Sequence, residues 1–186
     1  MARLAENNNQ KVITNEVRLS YAHLFEPKSI NGSDPKYSVS LLIPKEDKET
    51  IKLINEAIEN AKEDGVGKFG GKIPAKLKLP LRDGDEERPE DEVYEGCYFV
   101  NANSTTQPGL VNKYGAKIED STELYSGCYG KASITFYAFN TQGNKGIACG
   151  LNNIMKTKDG EPLSGKADAT SDFADEFESA EDDFLG

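Results

Sequence analysis

Hydrophobic and polar positions alternate with a period of two in five stretches of this chain, the pattern of half-buried strands. In residues 11–22, Val17, Leu19 and Tyr21 share one face, while Arg18 and Ser20 share the other. In residues 36–44, Tyr37, Val39, Leu41 and Ile43 alternate with Ser38 and Ser40, and Pro44 ends the run. Residues 96–103, 124–140 and 146–155 supply three further strands, the last two joined by a hairpin-like turn at TQGNK. Between the second and third strands the period changes. Ile51, Ile54, Ile58 and Ala61 recur at helical spacing, which predicts a helix over residues 46–63 with Glu46, Asp47 and Glu49 at its positive end and Gly65 and Gly67 as its stop.

Five strands and one early helix, with glycines that permit sharp bending, predict a mainly β domain. The most economical architecture is an OB-fold, a five-stranded, partly open barrel. It spans residues 11–166, preceded by a polar, frayed N-terminus over residues 1–10. Residues 64–95 read as a long loop insertion rich in glycine, lysine and then acid, and residues 167–186 as a disordered acidic tail.

Charge alters the picture once it is located. The 186 residues hold 32 acids and 22 bases, a formal net charge of −10, which argues against a simple basic nucleic-acid binder. Eight of the acids lie in residues 167–186 without a base, and eight more lie in residues 83–95 with only Arg88 among them. The remaining body has 16 acids against 21 bases, so a polyanion is an admissible partner for it. No apolar run approaches the ~20 residues of a membrane span, and MARLAENNNQK lacks the apolar core of a signal peptide. The expectation is a soluble protein of the cytoplasm. Cys97, Cys128 and Cys149 are odd in number and widely spaced, so they read as buried free thiols.

Catalytic chemistry finds little support. GVGKFG at residues 65–70 matches G-x-G-x-x-G, but it follows a helix where the dinucleotide fingerprint follows a strand. The acids of residues 83–95 are crowded on a loop broken by glycine and proline, so they read as a solvated charge run and not as a metal site. His23 is the only histidine, and no nucleophile motif is present. No cofactor, metal or catalytic residue is expected.

The fourth strand is the most informative stretch. One face carries Ser126, Cys128, Gly130, Ala132, Ile134, Phe136 and Ala138, small and apolar as a barrel interior requires. The other carries Tyr125, Gly127, Tyr129, Lys131, Ser133, Thr135, Tyr137 and Phe139. That mixture suits a surface that stacks bases and neutralises phosphate, and equally a face packed against a loop or another subunit. The tail adds Phe173, Phe177 and Phe184 among acids, a composition that docks into basic pockets of partners and competes with DNA for the protein's own groove.

Five segments in order carry a resemblance: YSVSLLIPKED at residues 37–47, FVNANS at 99–104 with QPGLVN beyond it, YSGCYGKASITFYAFN at 125–140, GNKGIACGLNNIMKTKDGEPL at 143–163, and the acidic tail with Phe184. Together they resemble the single-stranded DNA-binding proteins of tailed bacteriophages. The resemblance implies an OB-fold core, sequence-tolerant binding of single-stranded DNA, a place in phage replication, recombination or repair within the bacterial host cytoplasm, and a tail that contacts polymerase and helicase-primase. Here Leu185 and Gly186 follow Phe184, so the aromatic residue is not terminal.

The expected function is therefore single-stranded DNA binding without catalysis. Tyr125, Tyr129, Tyr137 and Phe139 are assigned to stacking, and Lys113, Lys131, Lys145 and Lys156 to phosphate. Asn101 and Asn103, beside Phe99, are assigned to hydrogen bonding. Phe173, Phe177, Asp182, Asp183 and Phe184 are assigned to partner docking. A protein-interaction module using the same aromatic face, and a double-stranded DNA-binding protein, remain as alternatives, and a homodimer is left open.

Overall fold

The computed structural model describes residues 1–29 and 32–163. Its strands are β1 (Arg3–Ala5), β2 (Asn8–Ile13), β3 (Val17–Lys28), β4 (Lys36–Pro44), β5 (Leu81–Asp83), β6 (Cys97–Ser104), β7 (Gly109–Val111), β8 (Tyr129–Thr141) and β9 (Asn144–Lys158). Helix α1 (Lys48–Asp64) follows β4, and the short α2 (Gly84–Glu87) follows β5. The sheet runs β1-β2-β8-β3-β4-β6-β9-β7, and a further β8–β9 pairing closes β8, β3, β4, β6 and β9 into a ring. Its loosest seam is the parallel contact of β6 with β9, where Asn103 stands opposite Gly150. The mainly β, OB-like architecture expected from the pattern is the one observed.

Alternation fills the ring. Leu19, Leu41, Ile43, Val100, Ile134 and Phe136 are fully buried in one core, and Ile54, Ala57, Ile58 and Ala61 bring α1 into it. The Asp47 carboxylate accepts from the Thr50 N–H at 3.2 Å and from Asn15 Nδ2 at 3.0 Å, which caps the helix and ties its start to the chain before β3. The β8–β9 turn places Gln142 at φ 52° and Gly143 at φ 86°, both left-handed, as a two-residue hairpin connection requires. Cys97, Cys128 and Cys149 are free thiols. Among the described residues no helix is long and apolar enough to cross a membrane.

Several boundaries differ from the sequence reading, each for a physical reason. Residues 1–10 are not frayed: they form β1 and the start of β2, and Ala2 is only 7% exposed. Residues 11–22 break at Thr14, yet β2 and β3 run along the same edge of β8 with one extra residue between them, so the break is a bulge. The buried Thr14 hydroxyl holds it, donating to the Asn15 carbonyl and accepting from the Ala132 N–H. β3 continues to Lys28, beyond the end of the strand expected over residues 11–22. The fourth strand starts at Tyr129, because Gly127 takes φ 113° and turns the chain before it. β7 was not anticipated; it pairs in parallel with β9.

Residues 64–95 fold back onto the ring instead of remaining a loose insertion. β5 pairs with β6, and Tyr94 joins Leu42 and Phe99 in a small second core on the outside of β4 and β6. Lys45 anchors this segment, with its ammonium 2.8 Å from both Asp83 and Asp85. Hydrogen bonding to Lys45 is the main reason both carboxyls sit below the usual carboxylate range.

Candidate nucleic-acid interface

The outer face of β4 and β6 is half polar and half apolar. Ser38 pairs with Asn103 and Ser40 with Asn101, whereas Leu42 pairs with Phe99. Tyr94 roofs the apolar half, its ring edge-on to Phe99 at 5.1 Å between centroids. Its hydroxyl lies 3.3 Å from Ser20 Oγ and 3.2 Å from Ser40 Oγ, which marks where the roof stops. Beyond it the serines and asparagines line an open cavity of about 360 Å³. That cavity runs into a groove of about 980 Å³ reaching Leu24, Tyr125 and Ser121, and both share Tyr21, His23 and Lys28.

Tyr21 stands at this junction because β3 bulges there. Ser20 pairs with Ser40 and His23 with Ser38, so β3 carries one residue more than β4 between these pairs. The extra residue puts Tyr21 at φ 47°, a left-handed conformation costly for an aromatic residue, and leaves it 55% exposed. The Ala22 N–H donates to Ser126 Oγ at 2.9 Å and pins the distortion. The Arg88 guanidinium lies 5.5 Å from the Tyr21 ring centre, 5.0 Å from Tyr94 and 5.8 Å from Phe99. Although it is the only base in an eight-acid run, Arg88 forms no ion pair among the described residues. Burial, and then the charge of Lys28, lower the His23 pKa from its ordinary 6.5, which favours the neutral imidazole.

The residues singled out from the sequence divide between this groove and other surfaces. Asn101 and Asn103 line the smaller cavity, and Phe99, 1% exposed, lies beneath the Tyr94 roof. Tyr125 lines the larger groove from the turn before β8, its hydroxyl 3.1 Å from Asp159 Oδ1 and 3.0 Å from the Gly160 carbonyl. The Lys156 ammonium sits 5.4 Å from that ring and bonds Asp159 at 2.6 Å and the Glu123 carbonyl. Tyr129, Lys131, Tyr137 and Phe139 lie on the outer face of β8, elsewhere on the ring. There Tyr129 is flanked by Arg18 at 5.6 Å and Lys158 at 4.6 Å, and Tyr137 is 39% exposed. Lys145 donates to the Phe69 carbonyl at 3.2 Å, and Lys113 belongs to a hairpin after β7. Phe173, Phe177, Asp182, Asp183 and Phe184 lie outside the described residues.

Tyr21, His23, Lys28, Ser38, Ser40 and Arg88 are groove residues that sequence reasoning did not single out. The one available signal was Arg88, a solitary base in an acidic run. Chemically, the groove offers an exposed ring for stacking, a cation held against it, and hydroxyl and amide groups for hydrogen bonding.

A closed five-stranded ring with such a groove across its second and third strands has the architecture of oligonucleotide-binding folds. The chain belongs to the Enterobacter phage Enc34 ssDNA-binding protein family, whose profile it matches over residues 10–185. Similarity to the single-stranded DNA-binding protein of bacteriophage Enc34, solved in complex with ssDNA, amounts to 31% identity over 83% of this chain and 90% of that one, with a TM-score of 0.75. Protein p50 of Acyrthosiphon pisum secondary endosymbiont phage 1 is 29% identical over 94% of this chain and 98% of its own length. The single-stranded DNA-binding protein gp2.5 of bacteriophage T7 shares the fold at 19% identity, with a TM-score of 0.56 over 91% of this chain and 96% of that one.

Proposed function

We propose that this chain binds single-stranded DNA without marked sequence preference, laying the strand along the groove over β3, β4 and β6. The carrying observation is Tyr21: a strained, exposed ring at the junction of both cavities, with Arg88 beside it. Stacking accepts any base, and Arg88, Lys28 and His23 are placed to meet phosphate. Asn101 and Asn103 supply hydrogen bonds, and Tyr125 extends the groove's aromatic lining. The outer face of β8, with Tyr129, Lys131, Tyr137 and Phe139, is a secondary contact for longer strands; Lys156 adds positive charge beside Tyr125 of the groove, and Lys113 and Lys145 add it on the hairpin after β7 and at the start of β9.

The reading extends to a role in phage DNA replication, recombination and repair. Residues 167–186 carry eight acids and no base, so they compete with DNA for the groove, and Phe173, Phe177 and Phe184, with Asp182 and Asp183, recruit polymerase or helicase-primase. The test is fluorescence anisotropy with labelled oligo-dT and with a duplex of equal length, across salt. Expected are preference for oligo-dT, loss of affinity as salt rises, and tighter binding at low salt after deletion of residues 167–186. Equal affinity for duplex would overturn the stacking reading, and unchanged affinity on deletion would overturn the competing tail.

A further inference from the structure

A hairpin outside the groove presents another aromatic residue. Val111 bridges Lys117, the Asn112 N–H donates to the Ala116 carbonyl at 2.8 Å, and the Gly115 N–H donates to the Asn112 carbonyl at 3.0 Å. Gly115, at φ 85°, takes the left-handed position that closes a three-residue loop. Asn112 Oδ1 accepts from the backbone N–H groups of both Tyr114 and Ala116, at 2.9 and 3.0 Å, so the tip is braced from inside. Tyr114 projects from this tip 83% exposed, the most exposed aromatic residue among those described. Lys113 Nζ lies 5.4 Å from its ring and has no acidic partner among the described residues. Lys117, on the returning arm, makes only an exposed 3.9 Å contact with Glu119.

The arm runs directly into the groove wall, because Glu119 and Ser121 line the larger cavity. Glu119 is five positions beyond Tyr114, a reach of at most ~17 Å at ~3.4 Å per residue. An exposed ring on a solvent-facing loop has no packing reason to be there, and a tip braced by its own side chain loses little entropy on binding. An exposed ring with the Lys113 ammonium against it, on a hairpin whose returning arm carries Lys117, is complementary to a base with its flanking phosphates, and not to a second basic surface.

We infer that Tyr114 is a second base-stacking site, which receives single-stranded nucleic acid leaving the groove, with Lys113 and Lys117 on its phosphates. The inference depends on the single-stranded DNA reading. Its test separates the two, because the chain contains no tryptophan. In the full chain, Tyr114→Trp creates a single reporter, titrated with an oligo-dT longer than the ~16 nucleotides one OB domain covers. Expected are quenching of the reporter at saturation, an affinity loss of about fivefold or more in Tyr114→Ala by anisotropy, and near-native affinity in Tyr114→Phe. An unquenched reporter while anisotropy reports saturation, or native affinity in Tyr114→Ala, overturns the hairpin site alone. Absence of oligo-dT binding by the unmodified chain overturns the groove reading, and this one with it.

Discussion

Two surfaces of the ring combine aromatic rings, cations and hydroxyls, and they differ in how much of that chemistry is free. On the outer face of β8 the side chains follow one unbroken alternation, and the protein itself occupies much of what they offer: Tyr129 lies between Arg18 and Lys158, and Phe139 sits opposite Gly146 of the paired strand. In the groove over β3, β4 and β6, a bulge turns Tyr21 outward, and the segment that supplies Arg88 covers only the apolar half of the sheet face. Regular strands place side chains predictably and then pack them. An irregularity that re-aims one ring into a cavity is a stronger pointer to binding than an aromatic stripe on an ordered face.

The sharpest way to break this comparison uses neighbouring residues of β8. Phe136 is fully buried in the ring, whereas Tyr137 points out of it. Phe136→Ala should lower unfolding free energy by about 3–5 kcal/mol, the usual cost of truncating a buried aromatic residue, and disturb both surfaces together. Tyr137→Ala should leave stability nearly unchanged. Urea denaturation of both variants checks this, and comparable losses would mean that the outer face of β8 is covered by something further.

Between the two surfaces, Tyr21→Ala should cost about 1–3 kcal/mol of oligo-dT affinity, the range for one lost stack, and more than Tyr137→Ala does. Tyr21→Gly separates function from strain. Glycine accepts the left-handed backbone without penalty, so this variant should fold at least as stably as the parent while binding as weakly as Tyr21→Ala. A larger binding loss in Tyr137→Ala would transfer the primary site to β8.

The interior was legible because its alternation is uninterrupted: Ala132, Ile134, Phe136 and Ala138 all face the core as the pattern required. Tyr21 was not. Its spacing groups it with Val17 and Leu19, and one extra residue in β3 reverses that assignment, while Tyr-Ala-His carries no glycine or proline to announce a bulge. Arg88 was hidden differently. A base among acids reads as a solvated charge, and its approach to three rings exists only because residues 81–97 fold back over β6 under the hold of Lys45. The polar N-terminus misled for a related reason: β1 gains order from pairing with β2 and from the Ala2 N–H donating to Glu49 at 2.6 Å, neither visible in local hydropathy.

A smaller effect probes the edge of the groove's roof. Tyr94→Phe removes the hydroxyl shared by Ser20 and Ser40 but keeps the ring against Phe99. The loss should be about 0.5–1.5 kcal/mol of stability, as for one buried hydrogen-bonding group, with oligo-dT affinity close to native. Thermal unfolding and anisotropy on the same sample check both halves. A binding loss as large as that of Tyr21→Ala would place the roof within the DNA contact.

The smallest expected effect is a proton. His23 lines both cavities; Lys28 and Arg88 share the smaller one with it, and Lys28, Glu26, Asp91 and Glu119 the larger. Burial and Lys28 hold its pKa below the 6.5 of the unfolded chain, so its contribution to stability is fully present above that value. As pH falls below 6.5 the unfolded chain takes up the proton first, and the contribution is lost by the time pH has passed the folded pKa. DNA acts in the opposite sense: a phosphate beside the imidazole offsets the charge of Lys28 and raises the pKa, so binding near pH 6 should take up protons. Calorimetry of oligo-dT binding in two buffers of different ionisation enthalpy measures that uptake. The signal should disappear in His23→Gln and shrink at pH 8. Equal heats in both buffers at pH 6 would move phosphate away from His23, and with it the path of the strand past Tyr21.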